Sequence, residues 1–242
     1  MVSKDAQINC PKLGKPIAFF LFFLVCWSNF TFANGNLRSS SVLNAESSAQ
    51  LALPYEVLVS DSQGEPVKNV VVEFHSTNPT PQLTDKVALM DQVDQQFQPH
   101  ILVIEKGTLV NFPNSDNIQH QIYSFSKAKS FEQGLYEQMQ ATPIKFDTTG
   151  IVDLGCNIHD WMLGYIYVAD SHYFAKTNDK GKVELSIPIS IDSVSIWHPR
   201  MREDDKRPVR KAKDNQTHFS FQLKNAMLPD TEGYEDLSLD VY

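Results

Sequence analysis

The sequence predicts an all-β protein built as a sandwich of packed sheets. Short stretches in which hydrophobic and polar residues alternate recur from residue 53 to residue 224, and this alternation is typical of half-buried strands. Gly, Pro, Asn and Asp residues between these stretches predict the turns that join them. Only Ser130–Gln140 has a pattern that suits a helix, and it is short.

The first predicted strands flank a turn. Val57 and Val59 alternate with polar residues, Asp61–Pro66 carries turn-forming residues, and Val70–Phe74 alternates again, which predicts a β-hairpin. A second strand–turn–strand unit is predicted around Lys106–Gly107. Further strands are predicted at Leu102–Glu105, Leu109–Phe112, His120–Ser126, Pro143–Cys156, Leu163–Asp170, Gly181–Ile189, Asp192–Pro199 and Thr217–Leu223. Of these ranges, Pro143–Cys156 is expected to contain two strands.

The N-terminus has the features of an export signal. Three lysines precede the apolar run Ile17–Ala33, which ends in small residues at Thr31 and Ala33. We therefore expect residues 1–33 to be a signal peptide and the protein to be exported to the periplasm. An uncleaved membrane anchor is the alternative, but the uninterrupted apolar part, Ile17–Trp27, is shorter than the roughly 20 residues that span a bilayer. Residues 34–52, rich in Ser, Asn and Ala, predict a flexible leader.

Charge and cysteine content narrow the function. The chain has a formal net charge of −8 at pH 7, which argues against nucleic acid as a partner. Acidic residues interrupt the basic cluster Arg200–Lys213, and residues 225–242 predict an acidic tail. Cys10 and Cys26 lie in the predicted signal, so the exported protein keeps Cys156 alone. An unpaired thiol in an oxidising compartment is expected to be buried, reactive or bound to a metal.

The stretch Leu154–Val168 combines Cys156, His159 and Met162 at three-residue intervals, just before a predicted strand. Thiolate and imidazole bind zinc or copper, whereas copper, unlike structural zinc, also accepts a thioether as a weak ligand. A copper site with one Cys and two His ligands needs a second imidazole from a neighbouring strand. His120 opens such a strand. The predicted ligand set is His120, Cys156, His159 and Met162.

Other candidate ligands have less favourable positions. His100 is the next candidate, and Met90 fits the core better than an axial ligand position. Cys156 and His159 also resemble the thiol–imidazole pair of a nucleophilic enzyme, but such enzymes usually draw the base from elsewhere in the chain. Paired carboxylates, a phosphate loop and a nucleotide fingerprint are missing, and we expect no enzymatic activity. His198 is expected in a loop or partly buried, and the histidines without partner spacing are His75, His172 and His218.

These segments resemble the cupredoxins, the type 1 blue-copper electron carriers. Cys156–Val168 has the C-x-x-H-x-x-M spacing of the amicyanin- and plastocyanin-like members, and Val103–Phe125 resembles their segment around the first histidine ligand. The likeness extends to bacterial exported proteins described as methylamine utilisation proteins, and it covers Val87–Asp170. It implies a Greek-key sandwich at residues 85–170, one copper ion, one-electron transfer, and a dehydrogenase or c-type cytochrome as the redox partner.

The resemblance also implies roles around the ligands. The carbonyl oxygen of Gln119 is expected to approach the metal, and Asn114 lies in the matching N-x-D segment. Many cupredoxins have Asn directly after the first histidine ligand, where it ties the two ligand loops together, but this chain has Gln121. Trp161 and Leu163 suit either a docking patch or packing over the site.

The remaining segments resemble a second sandwich. Val57–Phe74 resembles the opening strands of the carboxypeptidase regulatory-like, or transthyretin-like, domain, and Ala175–Ile187 resembles its later hairpin. We predict a discontinuous domain at residues 53–80 and 171–224, with the cupredoxin inserted in it. The alternative is one enlarged cupredoxin with extra edge strands. Copper delivery or storage, or a structural interaction module, is the alternative function.

Overall fold

The computed structural model describes residues 52–78, 86–137, 142–202 and 207–229. Within these ranges the chain forms seventeen β-strands and no helix, which confirms the all-β prediction. The strands are β1 Leu53–Ser60, β2 Val71–His75, β3 Val87–Leu89, β4 Asp91–Val93, β5 Gln96–Gln98, β6 Ile101–Glu105, β7 Leu109–Asn111, β8 His120–Ser126, β9 Lys129–Tyr136, β10 Ile144–Lys145, β11 Gly150–Gly155, β12 Leu163–Ala169, β13 Tyr173–Lys176, β14 Lys182–Ile187, β15 Ser193–Trp197, β16 Val209–Lys211 and β17 His218–Gln222.

The predicted signal peptide, nearly all of the leader and most of the predicted acidic tail lie outside the described residues. In the part of the chain that is described, no helix is long and apolar enough to cross a membrane.

The strands form four sheets and one separate hairpin. Sheet I has the order β14-β1-β17, sheet II β13-β2-β15-β16, sheet III β6-β12-β11-β8-β9 and sheet IV β10-β7-β3, while β4 pairs only with β5. One apolar core lies between sheets I and II, and a second lies between sheet III, sheet IV and the β4–β5 hairpin. The strands of sheets I and II come from both ends of the described chain, and those of sheets III and IV come from its middle. The domain boundaries themselves remain a prediction.

A third apolar cluster joins sheets II and III, and we call it the seam. Val71 and Trp197 of sheet II pack there against Ile101, Tyr167 and Ala169 of sheet III. The central strands of sheet II, β2 and β15, are therefore buried on both faces, because the other face of the sheet lines the first core.

The predicted hairpin between Val57 and Phe74 is wrong. A short bridge joins Ser60 to Pro66, but β1 then pairs with β14 and β17, whereas β2 pairs with β13 and β15. Val57 and Phe74 face the same core from opposite sheets. The Lys106–Gly107 turn likewise joins strands of different sheets. Alternation reveals that a strand has one buried face, but it does not reveal the sheet to which the strand belongs.

The predicted helix at Ser130–Gln140 is also wrong where the structure describes it. Residues Lys129–Tyr136 form β9, which pairs antiparallel with β8. Gly134 lowers the helix propensity of this segment, and pairing with β8 overrides the weak local pattern. Residues 138–140 lie outside the described ranges.

Candidate metal centre

Three predicted ligands meet at one end of sheet III. His120 is the first residue of β8, Cys156 directly follows β11, and His159 lies in the loop from β11 to β12. Their donor atoms all lie within 4.8 Å of one another. The Cys156 Sγ atom is 3.8 Å from the Nδ1 atom of each histidine, and the two Nδ1 atoms are 3.2 Å apart.

Strand pairing explains why these residues meet. β11 and β12 form an antiparallel hairpin in which Gly155 faces Leu163, so the ligand loop, residues 156–162, closes directly on that pair. Gly155 also faces Tyr123 of β8, and the antiparallel register brings the beginning of β8 beside the ligand loop. Within the loop, the backbone N–H of Met162 donates to the carbonyl of His159 at 2.9 Å.

The donor set fits a trigonal metal site. A point in the plane of the three donor atoms lies about 2.1 Å from each, close to the roughly 2.0–2.3 Å at which imidazole and thiolate bind a first-row metal ion. A structural zinc site needs a fourth strong ligand in tetrahedral geometry. Among the described residues, no fourth histidine, cysteine or carboxylate joins the group. One cysteine and two histidines around a shared centre match the trigonal set of a blue-copper site.

His120 is fully buried, and a carboxylate holds its ring on the side away from Cys156. Its Nε2 atom lies 2.7 Å from Asp116 Oδ2. Donation of the Nε2 proton to this carboxylate leaves the Nδ1 lone pair directed toward Cys156. Burial raises the pKa of Asp116, but hydrogen bonds from the N–H of Gln95, from His120 and from the N–H of Asp94 outweigh it, so the net pKa is lowered.

His159 is half-buried and closes the site toward the surface. Its ring centroid lies 4.9 Å from that of His120 and 5.3 Å from that of Trp161. Burial and the nearby His120 lower the pKa of His159, with a smaller opposing contribution from Asp116. The neutral imidazole, which is the form that binds metals, is therefore favoured.

Cys156 and Met162 lie on the apolar side of the site. Cys156 is 2% exposed and is the free cysteine among the described residues. Met162 is 1% exposed and belongs to the same core. Met90 also packs in that core, whereas His100 lies apart from the donor group, with its ring edge-on to Tyr165 at 5.2 Å.

The residues predicted to surround the ligands have distinct contacts. The side-chain amide of Gln121 donates to Glu132 on β9 at 2.6 Å, so it is directed along the sheet. Gln119 is exposed and directly precedes His120. Asn114 is buried and donates through Nδ2 to the carbonyl oxygens of the residues at 118 and 136, at 2.8 and 3.0 Å. Asn114 therefore anchors the segment that leads into His120.

Trp161 and Leu163 lie at the surface beside the ligand loop. Trp161 is 51% exposed and Leu163 is 39% exposed. Ile118 and Ile158 are exposed as well, which adds apolar surface on the two segments that carry His120 and His159.

Asp116 had no role in the sequence-based prediction. The signal that identifies it is its position four residues before His120 in the same polar segment, from which a carboxylate can reach the imidazole. Gly155 and Gly164 were also overlooked as packing positions. A Cβ at Gly155 would lie 2.7 Å from the Tyr123 ring, and a Cβ at Gly164 would lie 2.7 Å from Phe97 Cβ.

Comparison with known proteins finds structural similarity only. No protein-family model matches the chain, and no curated protein sequence matches it. Among solved structures, a reduced tryptophan-to-tyrosine mutant of amicyanin is 18% identical, matches 40% of this chain and 98% of its own, and has a TM-score of 0.33. A purple cupredoxin from Nitrosopumilus maritimus is 22% identical, matches 34% of this chain and 99% of its own, and has a TM-score of 0.31. An oxidised proline-to-alanine mutant of amicyanin is 18% identical, with coverage of 40% and 98% and a TM-score of 0.33.

Proposed function

We propose that this protein binds one copper ion in a type 1 site and carries single electrons between redox partners. The observation that supports this function is the buried Cys156 thiol, which lies equally far from the Nδ1 atoms of His120 and His159. Copper held by such a set supplies a one-electron couple. Met162 would supply a weak thioether ligand, since it lies in the same core as Cys156.

The chain contributes a rigid set of donors. Strands β8, β11 and β12 belong to one sheet and fix the two ends of the ligand loop and His120. The apolar core behind Cys156 excludes water from the thiolate, and Asp116 holds the His120 ring in one orientation. Donor atoms that cannot move favour the same geometry for both oxidation states, which lowers the reorganisation that accompanies electron transfer.

His159 is the proposed electron port. Its half-buried ring contacts Trp161, which is largely exposed, and the neighbouring Ile158 and Leu163 add exposed apolar surface. An apolar surface of this kind suits transient contact with another protein. By resemblance alone, we propose a dehydrogenase or a c-type cytochrome as the partner. The features of residues 1–33 support a periplasmic location.

Visible absorption and electron paramagnetic resonance of the Cu(II)-loaded protein test this function. We expect an intense thiolate-to-copper band and narrow hyperfine splitting, both lost in Cys156→Ser. His100→Ala is the matched control, because this histidine lies outside the donor group, and its spectra should equal those of the parent protein. A weak spectrum that is unchanged in Cys156→Ser would contradict a type 1 site. A type 1 spectrum without reversible reduction would favour copper delivery or storage.

A further inference from the structure

We propose that the β4–β5 hairpin, residues 91–98, is a positioning device that holds the metal ligands from outside the ligand loop. This inference rests on the proposed function, because it concerns the same donor atoms. The hairpin supplies none of the proposed ligands, and it pairs with no other strand among the described residues. It nevertheless contacts the loop that leads into His120 and the strand that follows the ligand loop, as the following contacts show.

The turn of the hairpin holds a carboxylate. Asp94 and Gln95 have φ values of 53° and 57°, so both adopt the left-handed conformation of a two-residue hairpin turn. Their consecutive N–H groups point to Asp116, with Asp94 N donating to Oδ1 at 2.7 Å and Gln95 N donating to Oδ2 at 3.0 Å. Successive N–H groups in such a turn form a concave anion site. Left-handed backbone is unfavourable for a glutamine, and the turn therefore persists against its local preference.

The carboxylate of Asp116, which the turn holds, in turn orients the proposed ligand His120. Asp116 Oδ2 also lies 2.7 Å from His120 Nε2, so one oxygen joins the hairpin turn to the imidazole. Two N–H groups fix the carboxylate from one side, and the ring proton meets it from the other. The turn thus determines which nitrogen of His120 faces Cys156.

The second arm of the hairpin packs on β12, the strand that directly follows the ligand loop. Phe97 of β5 is buried, and it packs so closely on Gly164 that a Cβ there would lie 2.7 Å from Phe97 Cβ and 2.9 Å from Cγ. Gly164 pairs with Leu154 at the base of the β11–β12 hairpin, two residues after Met162. The aromatic ring occupies the space that a side chain at Gly164 would need, so it packs directly on β12, the strand that follows the ligand loop.

A third contact fixes the hairpin itself. Gln92 of β4 is fully buried. Its backbone N–H donates to the carbonyl of Pro113 at 3.2 Å, its side-chain amide donates to the same oxygen at 3.0 Å, and its carbonyl accepts from the N–H of Ser115 at 3.0 Å. Ser115 Oγ donates to Asp91 Oδ2 at 2.8 Å. These hydrogen bonds tie the hairpin to the loop from β7 to β8. Both strands of the hairpin are therefore held in a fixed position relative to that loop.

The test uses Gln95→Pro, with Gln95→Gly as the matched control. Proline lacks the N–H and cannot adopt the positive φ, whereas glycine keeps the N–H and adopts that φ freely. In the apoprotein, long-range ¹H–¹⁵N spectra of the histidine rings report which nitrogen of His120 carries the proton. We expect one tautomer in the parent protein and in Gln95→Gly, and a mixture in Gln95→Pro. In the Cu(II) protein, Gln95→Pro should lower the affinity roughly 10- to 100-fold and change the hyperfine splitting.

Asp116→Asn keeps the inference testable if Gln95→Pro fails to fold. The amide nitrogen of asparagine cannot accept the N–H bonds that the carboxylate accepts, so a mixture of His120 tautomers is again expected. A folded variant of either kind that keeps one tautomer and the parent copper spectrum would overturn the inference. Absence of a type 1 spectrum in the parent protein would instead contradict the proposed function, and the apoprotein spectra would still decide the role of the hairpin.

Discussion

The proposed donor residues differ in their neighbours and in their burial. The proton on His120 Nε2 is directed to Asp116, which leaves Nδ1 for the metal. Cys156 is buried in an apolar core, where it has no disulfide partner among the described cysteines. His159 differs from both, because part of its ring reaches the surface. This difference in burial between the two histidines leads to the first prediction.

Removal of His159 should leave a site that a small ligand can fill from solvent. We expect Cu(II)-loaded His159→Ala to lose the type 1 spectrum and to regain an intense thiolate band when imidazole is added. His120→Ala is the comparison, since this ring is fully buried and imidazole must pass through the protein to replace it. Absorbance titration with imidazole measures the difference. Equal recovery in the two variants would contradict the role assigned to burial.

A side chain at Gly155 should strain the base of the ligand loop. A Cβ there would lie 2.7 Å from Tyr123 Cζ, so we expect Gly155→Ala to lower the free energy of unfolding by about 1–3 kcal/mol. The second substitution Tyr123→Ala should restore part of that loss, because it removes the clashing ring. Gly134→Ala on β9 is the control, since its Cβ would meet no atom within 4 Å. Urea unfolding of the apoproteins measures these free energies. Equal losses of stability in Gly155→Ala and Gly134→Ala would contradict the prediction.

The donor residues could be predicted from the sequence, but their supports could not. Cys156, His159 and Met162 are close in sequence, so their spacing alone indicates a shared site. The bonds to Asp116 come from a turn with left-handed backbone at Asp94 and Gln95. Aspartate favours that conformation only moderately and glutamine disfavours it, so the sequence does not predict this turn as a glycine would.

At the scale of elements, strands were predictable and their partners were not. Alternation located β1, β2, β8 and β17, but the hairpin assumed between β1 and β2 does not exist. Consecutive strands are usually neighbours, but β1 and β2 lie in opposite sheets, and local sequence does not distinguish the two cases. The error at β9 has the same origin, because only its pairing with β8 selects the strand.

The seam between sheets II and III should respond to alkaline pH. Burial and the neighbouring Glu73 raise the pKa of Tyr167 to about 12, despite the opposing effect of Arg207. Because the tyrosine pKa in an unfolded chain is about 10, its contribution is complete below that pH and is lost as the pH rises through the folded pKa. The free energy of unfolding should therefore decline between about pH 10 and 12, by roughly 1.4 kcal/mol per unit of pKa difference.

Tyr167→Phe isolates this contribution. The variant should start less stable, since it loses the hydrogen bond from Tyr167 Oη to Glu73 at 2.7 Å, but its stability should fall less over the same pH range. Urea unfolding at several alkaline pH values gives both slopes. Equal slopes in the parent protein and in Tyr167→Phe would show that this tyrosine does not cause the decline.

At the scale of the whole molecule, sheets II and III separate the two apolar cores and pack against each other in the seam. Glu73 lies within that seam and is 1% exposed. It accepts the hydrogen bond of Tyr167 Oη and those of the N–H groups of Asp170 and Ser171 at 2.8 and 2.9 Å. One carboxylate therefore satisfies three donors from the end of β12, and we expect the two sandwiches to unfold together.

Glu73→Ala should uncouple the unfolding of the two sandwiches. The substitution leaves the Tyr167 hydroxyl and two N–H groups without their acceptor. The buried hydroxyl alone should cost about 1–3 kcal/mol. In a Trp161→Phe background of residues 34–242, fluorescence follows Trp197 in the seam, and the thiolate band of the copper-loaded protein follows the proposed metal site. Both signals should share one urea midpoint in the parent protein and separate in Glu73→Ala. Glu184→Ala, which removes an exposed ion pair with Lys182, should leave the midpoints together. Coincident midpoints in Glu73→Ala would mean that apolar packing at the seam is sufficient for cooperative unfolding.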